Sequence, residues 1–134
     1  MRETILVVED GEAVRNLVCL MLVQSGYRVL EASDGRAALR LCETHPQPIQ
    51  LVLTDLVMPH MKGSELVERL RRVRPELRIL LMSGYTEDPV IQRLGRNSVA
   101  FLEKPFTSVS LMEKVREVLD SPWNGSPARE RPDG

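Results

Sequence analysis

The sequence predicts a single α/β domain built on a five-stranded parallel sheet with helices on both faces. Two observations predict this fold. Five short apolar runs are spread along the chain, and the segments between them carry apolar residues at helical spacing. Strands that alternate with helices are typical of parallel sheets with right-handed crossovers. A length of 134 residues suits one compact domain with one core.

The five predicted strands are short, and three of them are apolar at nearly every position. The predicted strands are Ile5–Val8, Arg28–Ala32, Leu51–Thr54, Ile79–Met82 and Ala100–Leu102. A strand covered by helices on both faces has this composition, because neither of its sides meets water. We therefore expect the first, third and fourth strands to lie inside the sheet.

Four segments repeat apolar residues every three or four positions, the pattern of a helix with one buried face. The stripes are Ala13, Val14, Leu17, Val18, Met21 and Leu22; Ala37, Ala38 and Leu41; Leu66, Val67, Leu70 and Val73; and Leu111, Met112, Val115, Val118 and Leu119. A weaker helix is predicted over Asp88–Gly95, where apolar positions are few and Pro89 comes early. We expect each stripe to face the core.

The domain is predicted to cover residues 1–120. From Ser121 to Gly134 the chain contains three prolines, two glycines and no apolar period. This composition is typical of a disordered tail or a linker.

Composition excludes several classes of protein. The chain has 18 Lys and Arg against 19 Asp and Glu, so no basic excess indicates DNA binding, and the residues after Asp120 are too few for a helix-turn-helix. No stretch approaches the roughly 18 apolar residues of a membrane span, so no membrane contact is predicted. Cys19 and Cys42 lie outside metal-ligand spacings and are interpreted as thiols of a reducing cytosol. Since no leader precedes Ile5, a cytoplasmic location is predicted.

Polar residues follow four of the predicted strands. Glu9 and Asp10 follow the first, Asp55 the third, Ser83 the fourth and Lys104 the fifth. Because ligands of open parallel sheets bind beyond the carboxyl ends of the strands, we expect these side chains to converge. Three neighbouring carboxylates repel one another without a cation. Oxygen ligands in a half-open site favour Mg²⁺, with Mn²⁺ as a substitute.

Phosphoryl transfer requires this set of groups. A carboxylate such as Asp55 can act as the nucleophile and form an aspartyl phosphate. Lys104 and Ser83 can hold the oxygens of the transferring group, while Glu9 and Asp10 serve the metal. Taken singly, the same residues have simpler interpretations as a helix cap, turn residues and a surface lysine.

Two other functions fit the pattern less well. A metal-dependent phosphohydrolase with an aspartyl nucleophile usually has a second carboxylate two residues further on, where this chain has Val57. A flavin-binding protein needs aromatic residues around the ring. This chain has two Tyr and one Trp, and Trp123 falls in the predicted tail.

Four segments together resemble the receiver domains of bacterial two-component response regulators, over residues 4–120. They are Leu6–Asp10, Leu53–Pro59, Met82–Tyr85 and Phe101–Phe106. The resemblance implies a flavodoxin-like, doubly wound sheet with strand order 2-1-3-4-5. It also implies a phosphoprotein of a phosphorelay that assists its own phosphorylation and dephosphorylation and is not a conventional enzyme by itself.

The resemblance implies a role for each matching residue. Asp55 matches the phosphoacceptor, and Lys104 matches the cation that pairs with the phosphoryl oxygens. Asp10 matches a direct metal ligand, Glu9 its neighbour that acts through water, and the Val57 backbone carbonyl a third metal ligand. Ser83 matches the switch hydroxyl, and Phe101 matches the aromatic that changes rotamer. Phosphorylation would then change the surface of the fourth helix, fifth strand and fifth helix.

Three of these positions depart from the commonest pattern. Glu9 stands where Asp is commoner, Ser83 where Thr is common, and Phe101 replaces a frequent Tyr. Since Phe101 has no hydroxyl, a switch here works by packing.

The segments 82–86 and 99–105 resemble receivers at the C-terminal end of hybrid sensor histidine kinases. A stand-alone single-domain regulator is the alternative. The implied partners are a histidine kinase domain as phosphohistidine donor and a histidine phosphotransfer protein, and a homodimer is left open.

Overall fold

The computed structural model of the protein describes residues 2–56, 61–84 and 99–121. The elements in chain order are β1 (Thr4–Val8), α1 (Glu12–Gln24), β2 (Arg28–Ala32), α2 (Gly35–Thr44), β3 (Leu51–Asp55), α3 (Gly63–Val73), β4 (Arg78–Ser83), β5 (Ala100–Glu103) and α4 (Ser108–Asp120). The five predicted strands and four of the predicted helices are confirmed. The weaker helix predicted over residues 88–95 and the tail beyond residue 121 lie outside the described residues.

The strands form one sheet in the order β2-β1-β3-β4-β5, and every neighbouring pair is parallel. The predicted order 2-1-3-4-5 is therefore confirmed. Val8 pairs with Thr54, and Thr54 pairs with Leu81. The residues one step further, Glu9 and Asp55, consequently lie at the same level of the carboxyl edge.

The core lies on both faces of the sheet. On one face, inward residues of β1, β3 and β4 pack against α1 and α4; on the other, the alternate residues pack against α2 and α3. Leu51 and Leu53 belong to the first face. Because side chains alternate along a strand, Asp55 belongs to that face as well.

Helix α1 corrects one prediction. Its buried residues are Val18, Cys19 and Leu22, whereas Val14 and Leu17 from the predicted core stripe are 44% and 53% exposed. The six predicted positions cover a wide arc of the helix, and the sheet covers only part of that circumference. The helix is rotated so that Cys19 reaches the sheet and Leu17 faces outward.

The helix ends are satisfied by local polar groups. The Asp34 side chain accepts a hydrogen bond from the Ala37 amide at the start of α2, and Thr107 and Ser110 form a reciprocal capping box at α4. Gly26 follows α1 with φ 98°, a left-handed conformation that favours glycine. Among the helices of the described ranges, none has the length and apolar character that crossing a membrane requires.

Candidate functional site

The carboxylates of Glu9, Asp10 and Asp55 gather at the carboxyl edge of the sheet. Each contributes an oxygen, and these oxygens lie within 4.8 Å of one another. Glu9 and Asp10 follow β1 directly, and Asp55 ends the neighbouring strand β3. Glu9 and Asp55 are buried, while Asp10 is exposed, so the cluster opens to solvent on one side.

Lys104 brings a positive charge to this cluster. Its Nζ lies 2.8 Å from Asp55 Oδ1 and donates a hydrogen bond to it. The Lys104 side chain is 34% exposed and the Asp55 side chain 9%. The Lys104 amide also donates to the Ser83 carbonyl at 2.8 Å, which ties the end of β5 to the end of β4. This backbone bond holds the stem of Lys104 beside the acids.

Ser83 and Phe101 occupy different parts of the sheet. Ser83 is buried at the end of β4, and its neighbour Met82 pairs with Asp55, so the hydroxyl-bearing residue lies one strand away from the acids. Phe101 is half-buried and packs on the face of the sheet opposite to that of Asp55, in the cluster that contains Leu81. The predicted ligand Val57 lies outside the described residues.

The Glu9 carboxylate is held firmly but is incompletely satisfied. Its Oε2 accepts a hydrogen bond of 2.9 Å from the Gly11 amide. Its Oε1 is buried and has no hydrogen-bond partner among the described residues. Burial, together with the neighbouring Asp55 carboxyl, raises the pKa of Glu9 from 4.5 to about 7.

The cluster fits a hard divalent cation. It offers carboxylate oxygens only, two from buried residues and one from an exposed residue. Among the described residues, the buried Glu9 Oε1 has no hydrogen-bond partner, and a cation or a water bound to it would supply one. A cation would also offset the burial and the neighbouring Asp55 carboxyl that together raise the pKa of Glu9, because it stabilises the ionised carboxylate.

Two residues that the sequence did not single out hold the Glu9 backbone and side chain. Gly11 supplies the amide that binds Glu9 Oε2. Arg15 donates from Nη1 to the Glu9 carbonyl at 2.8 Å and from Nε to Glu31 Oε1 at 3.0 Å. Their signal in the sequence is position: Gly11 is the N-cap residue of α1 directly after the acids, and Arg15 lies one helical turn later.

Comparison with known proteins assigns this architecture to a family. The model of the response regulator receiver domain matches residues 5–116. The chain is 37% identical over 118 residues to the sensor kinase CckA of Brucella abortus (strain 2308), which covers 87% of the chain but only 12% of that relative.

Two further matches cover almost the whole length of the compared chain. The chain is 31% identical over 120 residues to the response regulator receiver protein CpdR of Brucella abortus (strain 2308), covering 86% of the chain and 95% of CpdR. The crystal structure of the receiver domain from the hybrid histidine kinase CckA matches with a TM-score of 0.74 at 34% identity, over 87% of this chain and 99% of that one.

Proposed function

The chain belongs to the response regulator receiver domain family, a phosphoacceptor module of two-component signalling, and we propose that Asp55 is the residue that accepts the phosphoryl group. One observation carries this proposal. Asp55 is a buried carboxylate at the end of a central strand, with the Lys104 ammonium 2.8 Å away and two further acids beside it. A nucleophilic carboxylate next to a fixed cation is suited to receive a group that carries negative charge.

The proposed reaction moves a phosphoryl group from a phosphohistidine to Asp55. A carboxylate oxygen of Asp55 attacks phosphorus, the phosphorus–nitrogen bond breaks, and its electron pair returns to the imidazole nitrogen. Lys104 pairs with the phosphoryl oxygens, whose negative charge it neutralises. Ser83 donates its hydroxyl to one of these oxygens, because it lies one strand from the acceptor.

Mg²⁺ is the proposed cofactor, with Mn²⁺ as a substitute. Asp10 and Asp55 would be direct ligands, Glu9 would act through water, and the Val57 carbonyl would complete the protein ligands. Bound there, the cation neutralises carboxylate and phosphoryl charge. The support is the donor set itself and the unsatisfied Glu9 Oε1.

The proposed output is a change of packing around Phe101. Ser83 ends the strand that holds Leu81, and Leu81 pairs with Phe101 in the next strand. A hydrogen bond from Ser83 to the phosphoryl group would pull the end of β4 toward the site, and Phe101 would turn into the vacated space. The surface of the helix predicted from sequence over residues 88–95, of β5 and of α4 would change as a result.

The proposed partner is a histidine kinase domain or a histidine phosphotransfer protein that docks along α1. Leu17 and Leu20 are each 53% exposed on this helix, an unusual outward display of large apolar side chains. Since α1 starts directly after Asp10 and Gly11, a helix packed along it would bring its phosphohistidine close to Asp55.

The wider context is also a proposal. We infer that the domain is the receiver part of a hybrid sensor histidine kinase, with a stand-alone regulator as the alternative. The support is that it matches the receiver domain of the hybrid histidine kinase CckA and also covers 95% of the response regulator receiver protein CpdR. Residues 1–120 would form the receiver and 121–134 a tail or linker. Cys19 and Cys42 are buried free thiols, which suits a cytoplasmic location.

The decisive experiment is phosphorylation by acetyl phosphate with and without Mg²⁺, read by intact mass. We expect a single Mg²⁺-dependent phosphoryl adduct in the wild type and in the control Asp120→Asn, whose side chain is 64% exposed near the end of α4. The adduct should vanish in Asp55→Asn. An adduct that persists in Asp55→Asn would refute the assignment of the acceptor, and one that forms equally in EDTA would refute the metal requirement.

A further inference from the structure

The Arg15 side chain connects three elements of the fold next to the acid cluster. From its place on α1, its guanidinium donates to the Glu9 carbonyl at 2.8 Å and to Glu31 Oε1 on β2 at 3.0 Å. Only 16% of the side chain is exposed. These two hydrogen bonds fix both the position and the orientation of the planar Arg15 guanidinium.

Glu9 is restrained from three sides. Its amide donates to the Ala32 carbonyl at 3.1 Å, its carbonyl accepts from Arg15, and its Oε2 accepts from the Gly11 amide. Of these partners, Arg15 alone is a side chain. It therefore fixes the orientation of the peptide between Glu9 and Asp10. This orientation sets the directions in which the two acidic side chains leave the backbone.

We propose that Arg15, aligned by Glu31, is a positioning residue that holds the Glu9–Asp10 segment in the geometry required to bind a divalent cation. The inference rests on the proposed function and deepens it. Arg15 acts through the Glu9 carbonyl and contacts neither Asp55 nor the transferred group. Groups that orient the ligands of a metal contribute strongly to affinity, because they remove the cost of arranging those ligands on binding.

If Arg15 had a purely structural role, loss of its guanidinium would be expected to destabilise the fold. Helix α1 is anchored to the sheet by the buried side chains of Val18, Cys19 and Leu22, independently of Arg15. Loss of the guanidinium should therefore leave the fold in place and disturb the segment that carries the acids. Lysine has a single ammonium and cannot span the carbonyl and the carboxylate with a rigid fork.

The test measures Mg²⁺ affinity by titration calorimetry in Arg15→Met, Arg15→Lys and Glu31→Gln, with Arg40→Met, at an exposed position of α2, as the matched control. We expect a Kd about tenfold higher in Arg15→Met and intermediate in Arg15→Lys. Glu31→Gln keeps an oxygen acceptor for Arg15 and should stay close to the wild type, as should Arg40→Met.

A second readout needs no metal. In EDTA, the Gly11 amide should exchange its hydrogen faster in Arg15→Met than in the wild type, because Glu9 Oε2 no longer holds it steadily. If Arg15→Met fails to fold, Glu31→Leu removes the alignment of Arg15 from a half-exposed position and should raise the Kd in the same direction.

The outcomes separate the two proposals. A wild-type protein that binds no Mg²⁺ would refute the metal site, while Gly11 exchange would still report on positioning. Unchanged Mg²⁺ affinity and unchanged Gly11 exchange in the folded Arg15 and Glu31→Leu variants would overturn the role of Arg15 alone.

Discussion

Lys104 and Asp55 are 49 positions apart in the chain, and their side chains meet at 2.8 Å. Their contact follows from the sheet order, because β5 and β3 flank β4 and end at the same edge. The proposed acceptor, Asp55, therefore lies beside the Lys104 ammonium as well as beside the carboxylates of Glu9 and Asp10. Lys104 thus offsets the cost of burying Asp55 and also supplies the positive charge that the proposed phosphoryl transfer needs.

Replacing Lys104 with Met should affect both stability and reactivity. The buried Asp55 carboxylate would lose its counter-charge beside two other acids. Because the Lys104 side chain is 34% exposed and solvent screens the pair, the free energy of unfolding in EDTA should fall by about 1–2 kcal/mol, less than for a fully buried pair. Mg²⁺ should recover part of that loss. Phosphorylation by acetyl phosphate should slow by about 100-fold, because a fixed cation on the phosphoryl oxygens is missing.

Urea unfolding and intact mass measure these two effects. Lys114→Met is the control, since Lys114 forms an exposed ion pair with Glu117 on α4 and should change neither quantity appreciably. Equal phosphorylation rates in Lys104→Met and the wild type would show that Lys104 only stabilises the fold.

Glu9 should make the stability of the metal-free protein depend on pH. Its pKa is raised to about 7, so the folded state favours the protonated carboxyl. The associated stability is fully present below the ordinary pKa of 4.5 and is lost as the pH rises through about 7. In EDTA, the free energy of unfolding should therefore decline between about pH 5 and about pH 8.

Glu9→Gln is the comparison for this prediction, because glutamine does not titrate. Its unfolding free energy, from urea titrations at each pH, should show a shallower decline over the same interval. Parallel curves for the two proteins would show that Glu9 does not titrate in this range. Mg²⁺ should remove most of the difference, since a bound cation stabilises the ionised form.

Much of the fold follows from patterns that one strand or one helix carries alone. Leu51, Val52 and Leu53 are apolar in succession because β3 is covered on both faces, and such a run is visible in sequence. The site follows from the same logic, because the polar residues after Val8 and Thr54 must lie together once β1 and β3 pair.

Other features depend on tertiary geometry that local patterns do not contain. Leu17 and Cys19 are both compatible with a buried stripe, and only the rotation of α1 against the sheet decides which is buried. Arg15 resembles any surface arginine in sequence. Its role emerges only when β2 places Glu31 within its reach.

The effect of replacing Gly11 with alanine on Mg²⁺ binding should depend on the length of the acidic side chain at position 9. A Cβ at Gly11 would lie 3.3 Å from Glu9 Oε2, tighter than an ordinary contact, so Gly11→Ala should displace that carboxylate and weaken Mg²⁺ binding by a few-fold. In a Glu9→Asp background the shorter side chain leaves room, and the same alanine should cost less.

Calorimetric Kd values for the wild type, both single variants and the double variant form a complete cycle. We expect a coupling energy of about 0.5–1 kcal/mol, in the sense that Asp at position 9 rescues Ala at position 11. Strict additivity would mean that Glu9 and Gly11 do not interact sterically. The Gly11 backbone has φ −80°, so alanine adds no strain of its own and the cycle reports on the contact.

Leu17 and Leu20 allow docking to be separated from chemistry. Each is about half exposed on the outer side of α1, so Leu17→Ser with Leu20→Ser should leave the core and the acid cluster intact. Phosphorylation by acetyl phosphate, which needs no docking surface, should proceed at the wild-type rate. Transfer from a phosphohistidine domain should slow by about tenfold or more, because each apolar contact buried in an interface contributes on the order of 1 kcal/mol.

The ratio of the two rates within one protein is the measurement, so that differences in folding or metal affinity cancel. Val109→Ser, at an exposed apolar position on α4, tests how far the docking surface extends beyond α1. Equal slowing with both donors would place the effect in the site. If the double variant reacts at the wild-type rate with each donor, the outer side of α1 is excluded as the docking surface. The partner would then have to reach Asp55 from another side of the carboxyl edge.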